Sequence, residues 1–206
     1  MIITCGPDND IREVTIQLPD ESSKIAVFVS GGLDSAIMYF LLLQANKQTD
    51  WKHKIFPFVA RRNEGSRYFA NLVVAQVRDF YNLKYREPQV VGDSSLPDHL
   101  QVKSGVWSAL EKNMQQVYIG AINQLPQHAV DWDPIPLYDD PQIQYPFKSL
   151  NKNHVVDLIV KLKQEHLFYI THSCSINEIG RCRKCNGCNE RSWAFDQLGI
   201  VDPGML

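Results

Sequence analysis

The turn at residues 30–35 has the residue types that bind phosphate. Its sequence, Ser30-Gly31-Gly32-Leu33-Asp34-Ser35, lies between an apolar run at residues 25–29 and a dense helical stretch that begins at Ser35. Unpaired backbone amides at a helix start form an anion site, and adjacent glycines let the backbone approach the anion closely. Ser30 and Ser35 add hydroxyl donors, and Asp34 could hold Mg²⁺ against the phosphates. The alternative is a strand-to-helix turn that uses its glycines only for geometry.

Four cysteines near the carboxyl end have the spacing of a metal site: Cys174, Cys182, Cys185 and Cys188. The short CxxC spacings let successive thiolates surround one tetrahedral ion, and zinc is the predicted ion. Four thiolates and no export signal make disulfides or a two-cysteine redox motif weaker explanations, while an iron–sulfur cluster remains an alternative. Four thiolates leave no open coordination position. The predicted site is therefore structural and contributes roughly 10 kcal/mol or more to folding of the terminal segment.

The elements that must position these residues alternate between strand and helix. Apolar runs predict strands at residues 25–29, 54–59, 89–91, 116–122 and 167–171, and helical spacing predicts helices at 35–44, 66–80, 102–113, 153–164 and 190–198. Such alternation predicts an α/β fold, with a parallel sheet flanked by helices. Residues 12–18 predict an additional half-buried edge strand. The stretch 124–145, rich in proline and aromatic residues, predicts an irregular functional loop.

Composition restricts the class of protein further. A chain of 206 residues, 44% hydrophobic and 21% charged, can bury one substantial core. The formal charge of −2 does not favour nucleic acid as a partner. No apolar run is long enough to span a membrane and no signal pattern opens the chain, so we expect a cytoplasmic protein. Walker-type and GxGxxG loops are absent, which disfavours γ-phosphate transfer and dinucleotide binding.

The hexapeptide at residues 30–35 resembles the SGGxDS signature of the pyrophosphatase-loop (PP-loop) ATPases. These enzymes cleave ATP between its α and β phosphates and leave an adenylated substrate and pyrophosphate. The resemblance implies a Rossmann-like fold of the adenine nucleotide alpha hydrolase (HUP) type over residues 1–172, followed by a zinc-binding segment at 173–206. It implies ATP and Mg²⁺ as cofactors and a nucleotide site formed by Val29, Ser30, Gly31, Gly32, Leu33, Asp34, Ser35, Val59 and Gly120.

The carboxyl-terminal pattern resembles one family of PP-loop enzymes, the 7-cyano-7-deazaguanine synthases (QueC family). The matching residues are Thr171, Ser173-Cys174, Cys182-Arg-Lys-Cys185-Asn-Gly-Cys188, Arg191, Ala194-Phe195, Gly199 and Asp202-Pro203. The resemblance to the family extends upstream to Tyr145-Pro146-Phe147 with Lys152, and to Gly120 with Asn123. The resemblance covers roughly residues 25 to 204.

This resemblance implies a ligase that adenylates 7-carboxy-7-deazaguanine, forms the amide with ammonia, and dehydrates the amide to the nitrile with a second ATP. Asp34, Ser35 and Lys152 are the implied catalytic residues. Lys152 would neutralise charge on the phosphates or the carboxylate, and a solvated lysine at a helix start is the competing interpretation. The basic residues around the cysteines, Arg181, Arg183, Lys184 and Arg191, have two interpretations as well: charge compensation, or a phosphate or substrate contact.

One departure from the family supports a second enzyme hypothesis. Where the family has Tyr-Gly-Gln-Arg-His, this chain has Val59-Ala60-Arg61-Arg62-Asn63. The alternative is an enzyme of a phage or defence system that stops at the amide or transfers the activated acyl group. A third hypothesis, from a different class, is a zinc-knuckle module that binds RNA or protein through the basic residues near Cys182. The sequence leaves the oligomeric state open, with a homodimer as one option.

Overall fold

The computed structural model describes residues 1–60, 66–123, 125 and 137–205, so the departure at Arg61–Asn63 lies outside the described residues. The strands are β1 (Ile2–Cys5), β2 (Arg12–Thr15), β3 (Lys24–Phe28), β4 (Lys54–Ala60), β5 (Gln89–Val91), β6 (Gln116–Tyr118) and β7 (Ile143–Gln144). The helices are α1 (Leu33–Gln48), α2 (Ser66–Phe80), α3 (Asp98–Glu111), α4 (Lys152–Lys161), α5 (Leu167–Ile170) and α6 (Asn186–Gln197), and a short 3-10 helix spans Pro203–Met205. None of the described helices has both the length and the apolar composition needed to cross a membrane.

The core is a five-stranded sheet with the order β5-β4-β3-β6-β7, and each neighbouring pair is parallel. Counted from β3, this is the order 3-2-1-4-5 of a Rossmann-like sheet, so the predicted fold class is confirmed. The chain leaves β3 toward one edge of the sheet and returns to the other side at β6. Ligands of open α/β sheets bind where the strand order reverses in this way. The turn at residues 30–35 begins two residues after β3, at this position.

Helices cover both faces of the sheet because side chains of β3 alternate between the faces. Ile25 and Val27 are completely buried in a cluster that includes residues of α1, α2 and α4. Ala26 and Phe28 point the other way, into a second cluster with Val106 and other residues of α3. Strands that are buried on both faces read as continuous apolar runs, as this one does.

The predicted strand at residues 167–171 is wrong, because Leu167–Ile170 forms one turn of helix, α5. A short apolar run fits a buried strand and a buried helical turn equally well, so its pattern does not separate them. The tertiary structure selects the helix. The Phe168 ring packs 4.8 Å from that of Phe195 on α6, and the Thr171 hydroxyl donates to the Leu167 carbonyl at 2.7 Å.

The predicted irregular loop at 124–145 also needs correction at its carboxyl end. Ile143 and Gln144 form β7, which pairs with Val117 and Tyr118 of β6 and closes one edge of the sheet. Two residues are too few to show alternation, and the pairing depends on a neighbour 26 residues earlier in the chain. Of the rest of this stretch, the structure describes residues 125, 137–142 and 145.

The predicted edge strand near the amino terminus does not join the core sheet. It forms β2, which pairs with β1 in a separate antiparallel hairpin. His154 on α4 holds this hairpin: its Nδ1 accepts from the Asn151 N–H at 3.2 Å, so Nε2 carries the proton and donates to the Asp10 carbonyl at 2.9 Å. Burial lowers the pKa of His154, in agreement with a neutral ring. The hairpin therefore braces the start of α4.

Two element ends differ from the prediction in ways that matter for the site. The last helix, α6, begins at Asn186 rather than at 190, so Cys188 and Glu190 both lie on it. Strand β6 ends at Tyr118 rather than at 122, so Gly120 follows the strand instead of ending it.

Candidate active site and metal centre

The turn at residues 30–35 is shaped by its own hydroxyls. Ser35 Oγ accepts from the Ser30 N–H at 3.0 Å, donates to the Gly32 carbonyl at 3.0 Å, and lies 3.1 Å from Ser30 Oγ. Helix α1 then begins at Leu33, and the amide groups of its first turn have no acceptor within the helix. The buried Ser35 hydroxyl thus fixes the turn, and its amides and the helix dipole can bind an anion. A direct contact of Ser35 with phosphate stays a prediction.

Gly31 lets this turn pack closely against its neighbours. Its φ is +85°, and a Cβ added there would lie 2.5 Å from Phe69 Cβ and 3.0 Å from the Ala70 amide nitrogen on α2. On the other side, the His172 N–H donates to the Gly31 carbonyl at 2.9 Å. The turn is therefore held between α2 and the segment that leads into the cysteines.

We expect Gly31→Ala to destabilise the protein more than Gly199→Ala. Gly199 also has a positive φ, of +63°, but no atom lies within 4 Å of an added Cβ. In both variants the left-handed backbone lowers the free energy of unfolding by about 1 to 2 kcal/mol, because alanine disfavours this conformation. In Gly31→Ala, steric overlap lowers the free energy of unfolding by about 1 to 3 kcal/mol more. Urea unfolding curves of the two variants measure the difference. Equal losses would show that the turn has room that the structure does not indicate.

Gly120 reaches the turn from β6, and the structure gives it a packing role. A Cβ at Gly120 would lie 2.8 Å from the Asp34 carbonyl oxygen and 3.2 Å from the Ser35 nitrogen. Val29, Leu33 and Val59 have buried side chains within the core, so any contact that they make with a nucleotide is through the backbone. Their proposed nucleotide contacts stay predictions.

A cluster of three charges, two of them buried and Asp34 partly buried, joins the turn to the carboxyl-terminal half. Lys152 Nζ lies 2.5 Å from Asp34 Oδ2 and 3.3 Å from Glu190 Oε2. The Lys152 side chain is 7% exposed, which excludes a solvated lysine. Burial alone would lower the pKa of Lys152, but the charges of Asp34 and Glu190 outweigh it and raise that pKa above its ordinary value. Lys152 is therefore an ammonium ion that could face added negative charge.

Glu190 is not among the residues predicted for the site, and it lies on α6 only two residues after Cys188. The sequence feature that could have indicated Glu190 is an acidic residue two positions after a predicted metal ligand. The cluster also leaves one oxygen unused: Asp34 Oδ1 is buried and has no hydrogen-bond partner among the described residues. A free carboxylate oxygen beside a phosphate-type turn fits a Mg²⁺ ligand.

The four predicted cysteines come together. The sulfur atoms of Cys174, Cys182, Cys185 and Cys188 all lie within 4.8 Å of one another. Backbone N–H groups of Asn177 and Cys185 point at the sulfurs of Cys174 and Cys182, each at 3.2 Å. Such donors stabilise thiolates, so this group could hold a metal ion.

Two of the four basic residues near the cysteines form ion pairs with a carboxylate inside the fold. The fully buried Arg191 guanidinium donates to both Asp202 oxygens at 2.8 and 2.9 Å, to the Phe168 carbonyl at 2.7 Å and to Thr171 Oγ1 at 3.1 Å. Arg181 also donates to Asp202. For these two arginines the structure favours charge compensation, whereas Arg183 and Lys184 are exposed.

Comparisons with known proteins place the chain beside one class of enzyme. The family model for the queuosine biosynthesis protein QueC matches residues 112–199, a range that contains Lys152, the four cysteines and Glu190. The chain is also 24% identical to the 7-cyano-7-deazaguanine synthase of Thermoplasma volcanium, over 87% of this chain and 89% of that enzyme. These two findings confirm the resemblance seen in the sequence. One similar solved structure is the U34-tRNA thiolase NcsA from Methanococcus maripaludis with its [4Fe-4S] cluster. It is 17% identical to this chain with a TM-score of 0.45, and the match covers 90% of this chain and 69% of the thiolase chain.

Proposed function

We propose that this protein is an ATP-dependent ligase that converts 7-carboxy-7-deazaguanine and ammonia into 7-cyano-7-deazaguanine. One observation carries the proposal. The phosphate-type turn at the switch point of the sheet is joined through Asp34 to Lys152, a residue of the region that matches the QueC family. The similarity to a 7-cyano-7-deazaguanine synthase supports the choice of substrate.

The first step in this proposal is adenylation of the carboxylate. A carboxylate oxygen attacks the α phosphorus of ATP, the bond between the α and β phosphates breaks, and pyrophosphate leaves. The amides at the start of α1 and the ammonium of Lys152 would stabilise the negative charge that builds up on the phosphates. Mg²⁺, held by Asp34, would add a divalent charge at the same place.

The second step converts the activated acid into the nitrile. Ammonia attacks the acyl carbon, AMP leaves, and a proton is released, which gives the amide. The amide oxygen then attacks the α phosphorus of a second ATP and pyrophosphate leaves; loss of AMP and two N–H protons from this adenylated amide gives the nitrile. AMP as leaving group makes each step feasible, because neither a carboxylate nor an amide oxygen leaves readily by itself.

We propose zinc as the ion of the cysteine group. A tetrahedral zinc ion with Zn–S bonds of about 2.3 Å places its sulfurs about 3.8 Å apart. The pairs Cys174–Cys185 and Cys182–Cys188 each have a sulfur separation of 4.0 Å. Cysteines on four different iron atoms of one cluster lie further apart, so the geometry supports a single ion.

A product assay tests the proposed function. The protein is incubated with 7-carboxy-7-deazaguanine, ATP, Mg²⁺ and ammonium, and mass spectrometry follows the substrate, the amide and the nitrile. We expect the nitrile, with AMP and pyrophosphate formed in equal amounts. Reactions without ammonium or without ATP are the controls. If neither amide nor nitrile forms, the proposal is wrong.

The departure from the family at residues 59–63 favours one second candidate, an enzyme that stops at the amide or transfers the acyl group to another acceptor. Accumulation of amide without nitrile, or a macromolecule modified with deazaguanine, would support it. The zinc-knuckle hypothesis is weaker, because Arg181 and Arg191 of its basic surface are paired with Asp202.

A further inference from the structure

We propose that Glu190 is a positioning residue for Lys152, and that the cysteine segment controls adenylation through it. The inference rests on the proposed function. Glu190 Oε2 lies 3.3 Å from Lys152 Nζ, and its side chain is 8% exposed. Glu190 thus holds the ammonium from α6, while Asp34 holds it from α1.

The charges explain why two carboxylates are needed. Asp34 and Glu190 with one ammonium give these three groups a net charge of −1, so the ammonium has a carboxylate on each of two elements. With Mg²⁺ on Asp34 Oδ1, Lys152 would still have Glu190 as a second counter-charge beside Oδ2 and would stay in place. Without Glu190, the ammonium would have only Asp34 among these two partners, and α6 would no longer fix the position of Nζ. Lys152 would then compete with Mg²⁺ for the same carboxylate.

A buried carboxylate is a costly way to stabilise a fold. Two buried charges lose hydration, and well-packed apolar residues often stabilise a core as well or better. The position of Glu190 therefore points to a role in geometry. Its backbone is fixed on both sides, because Cys188 is a ligand of the proposed metal and Arg191 is bound by Asp202. Order in the cysteine segment is thereby transmitted to Lys152.

The test compares Glu190→Gln with Asp196→Asn, the same loss of charge at an exposed position on the same helix. We expect Glu190→Gln to lower kcat for pyrophosphate release by about 10- to 100-fold, since a misplacement of about 1 Å can cost that much. The KM for ATP should change less than about threefold, and metal content should match the wild type. Asp196→Asn should match the wild type in all three. Glu190→Asp keeps a carboxylate on a shorter side chain, so its kcat should lie between those of Glu190→Gln and the wild type. If Glu190→Gln does not fold, Glu190→Asp is measured in its place and should show a lower kcat than the wild type.

Crystal structures give a readout that does not depend on activity. In Glu190→Gln we expect Lys152 Nζ to keep its contact with Asp34 and to move by about 1 Å or more away from the side chain at position 190. An unmoved Nζ, an unchanged kcat, or loss of metal from Glu190→Gln would each overturn the inference. If the wild type forms no deazaguanine product but Nζ moves, the proposed function fails and the positioning of Lys152 by Glu190 stands.

Discussion

Asp34→Asn is expected to reduce ATP-dependent pyrophosphate release by about 10³-fold, or about 4 kcal/mol in activation free energy. Asp34 combines two proposed roles. Its Oδ1 is buried without a hydrogen-bond partner among the described residues and is free for Mg²⁺, and its Oδ2 holds Lys152. Asparagine keeps the shape but removes the charge that both roles require. The measurement is a coupled pyrophosphate assay at saturating substrate.

The fold should survive this change. Asparagine has the same size as aspartate, and Lys152 keeps Glu190 as a counter-charge. Asp79→Asn, on the exposed side of α2, removes the same charge away from the site and should match the wild type. If Asp34→Asn retains activity within about tenfold of the wild type, Asp34 does not hold the metal–phosphate group.

Cys188→Ala is expected to release the proposed zinc ion and to lower the free energy of unfolding by at least about 3 kcal/mol, since a structural zinc site contributes roughly 10 kcal/mol or more. The sulfur of Cys188 lies 4.0 Å from that of Cys182, and the residue is buried on α6. Its loss removes one of four ligands. Metal analysis, urea unfolding and limited proteolysis measure the effect. Proteolysis should begin within residues 173–205.

Cys5→Ala is the matched control for the metal site. Cys5 is completely buried and belongs to the core cluster, away from the other cysteines in the chain. Its removal leaves a small cavity and should cost about 1 to 2 kcal/mol with no loss of metal. Removal of the metal from the wild type with a chelator should lower its free energy of unfolding as Cys188→Ala does. The chelator should destabilise Cys5→Ala by the same amount as the wild type. Retention of both metal and stability in Cys188→Ala would contradict the site.

The features that are local in the chain could be predicted from the amino-acid sequence. A glycine pair between an apolar strand and a helix predicted the turn at residues 30–35, and the CxxC spacings predicted the group of four cysteines. Alternation of strand and helix predicted the parallel sheet. These features follow from backbone freedom, ligand spacing and hydrophobic period, all of which act over a few residues.

The features that depend on distant partners became visible in the folded chain alone. Lys152 meets Asp34 across 118 positions in the chain, and their cluster takes in Glu190 from a third element. The helical turn α5 is selected by packing against α6, and β7 by pairing with β6. In each case the local sequence fits two outcomes nearly equally, and long-range burial and charge pairing supply the free energy that selects one.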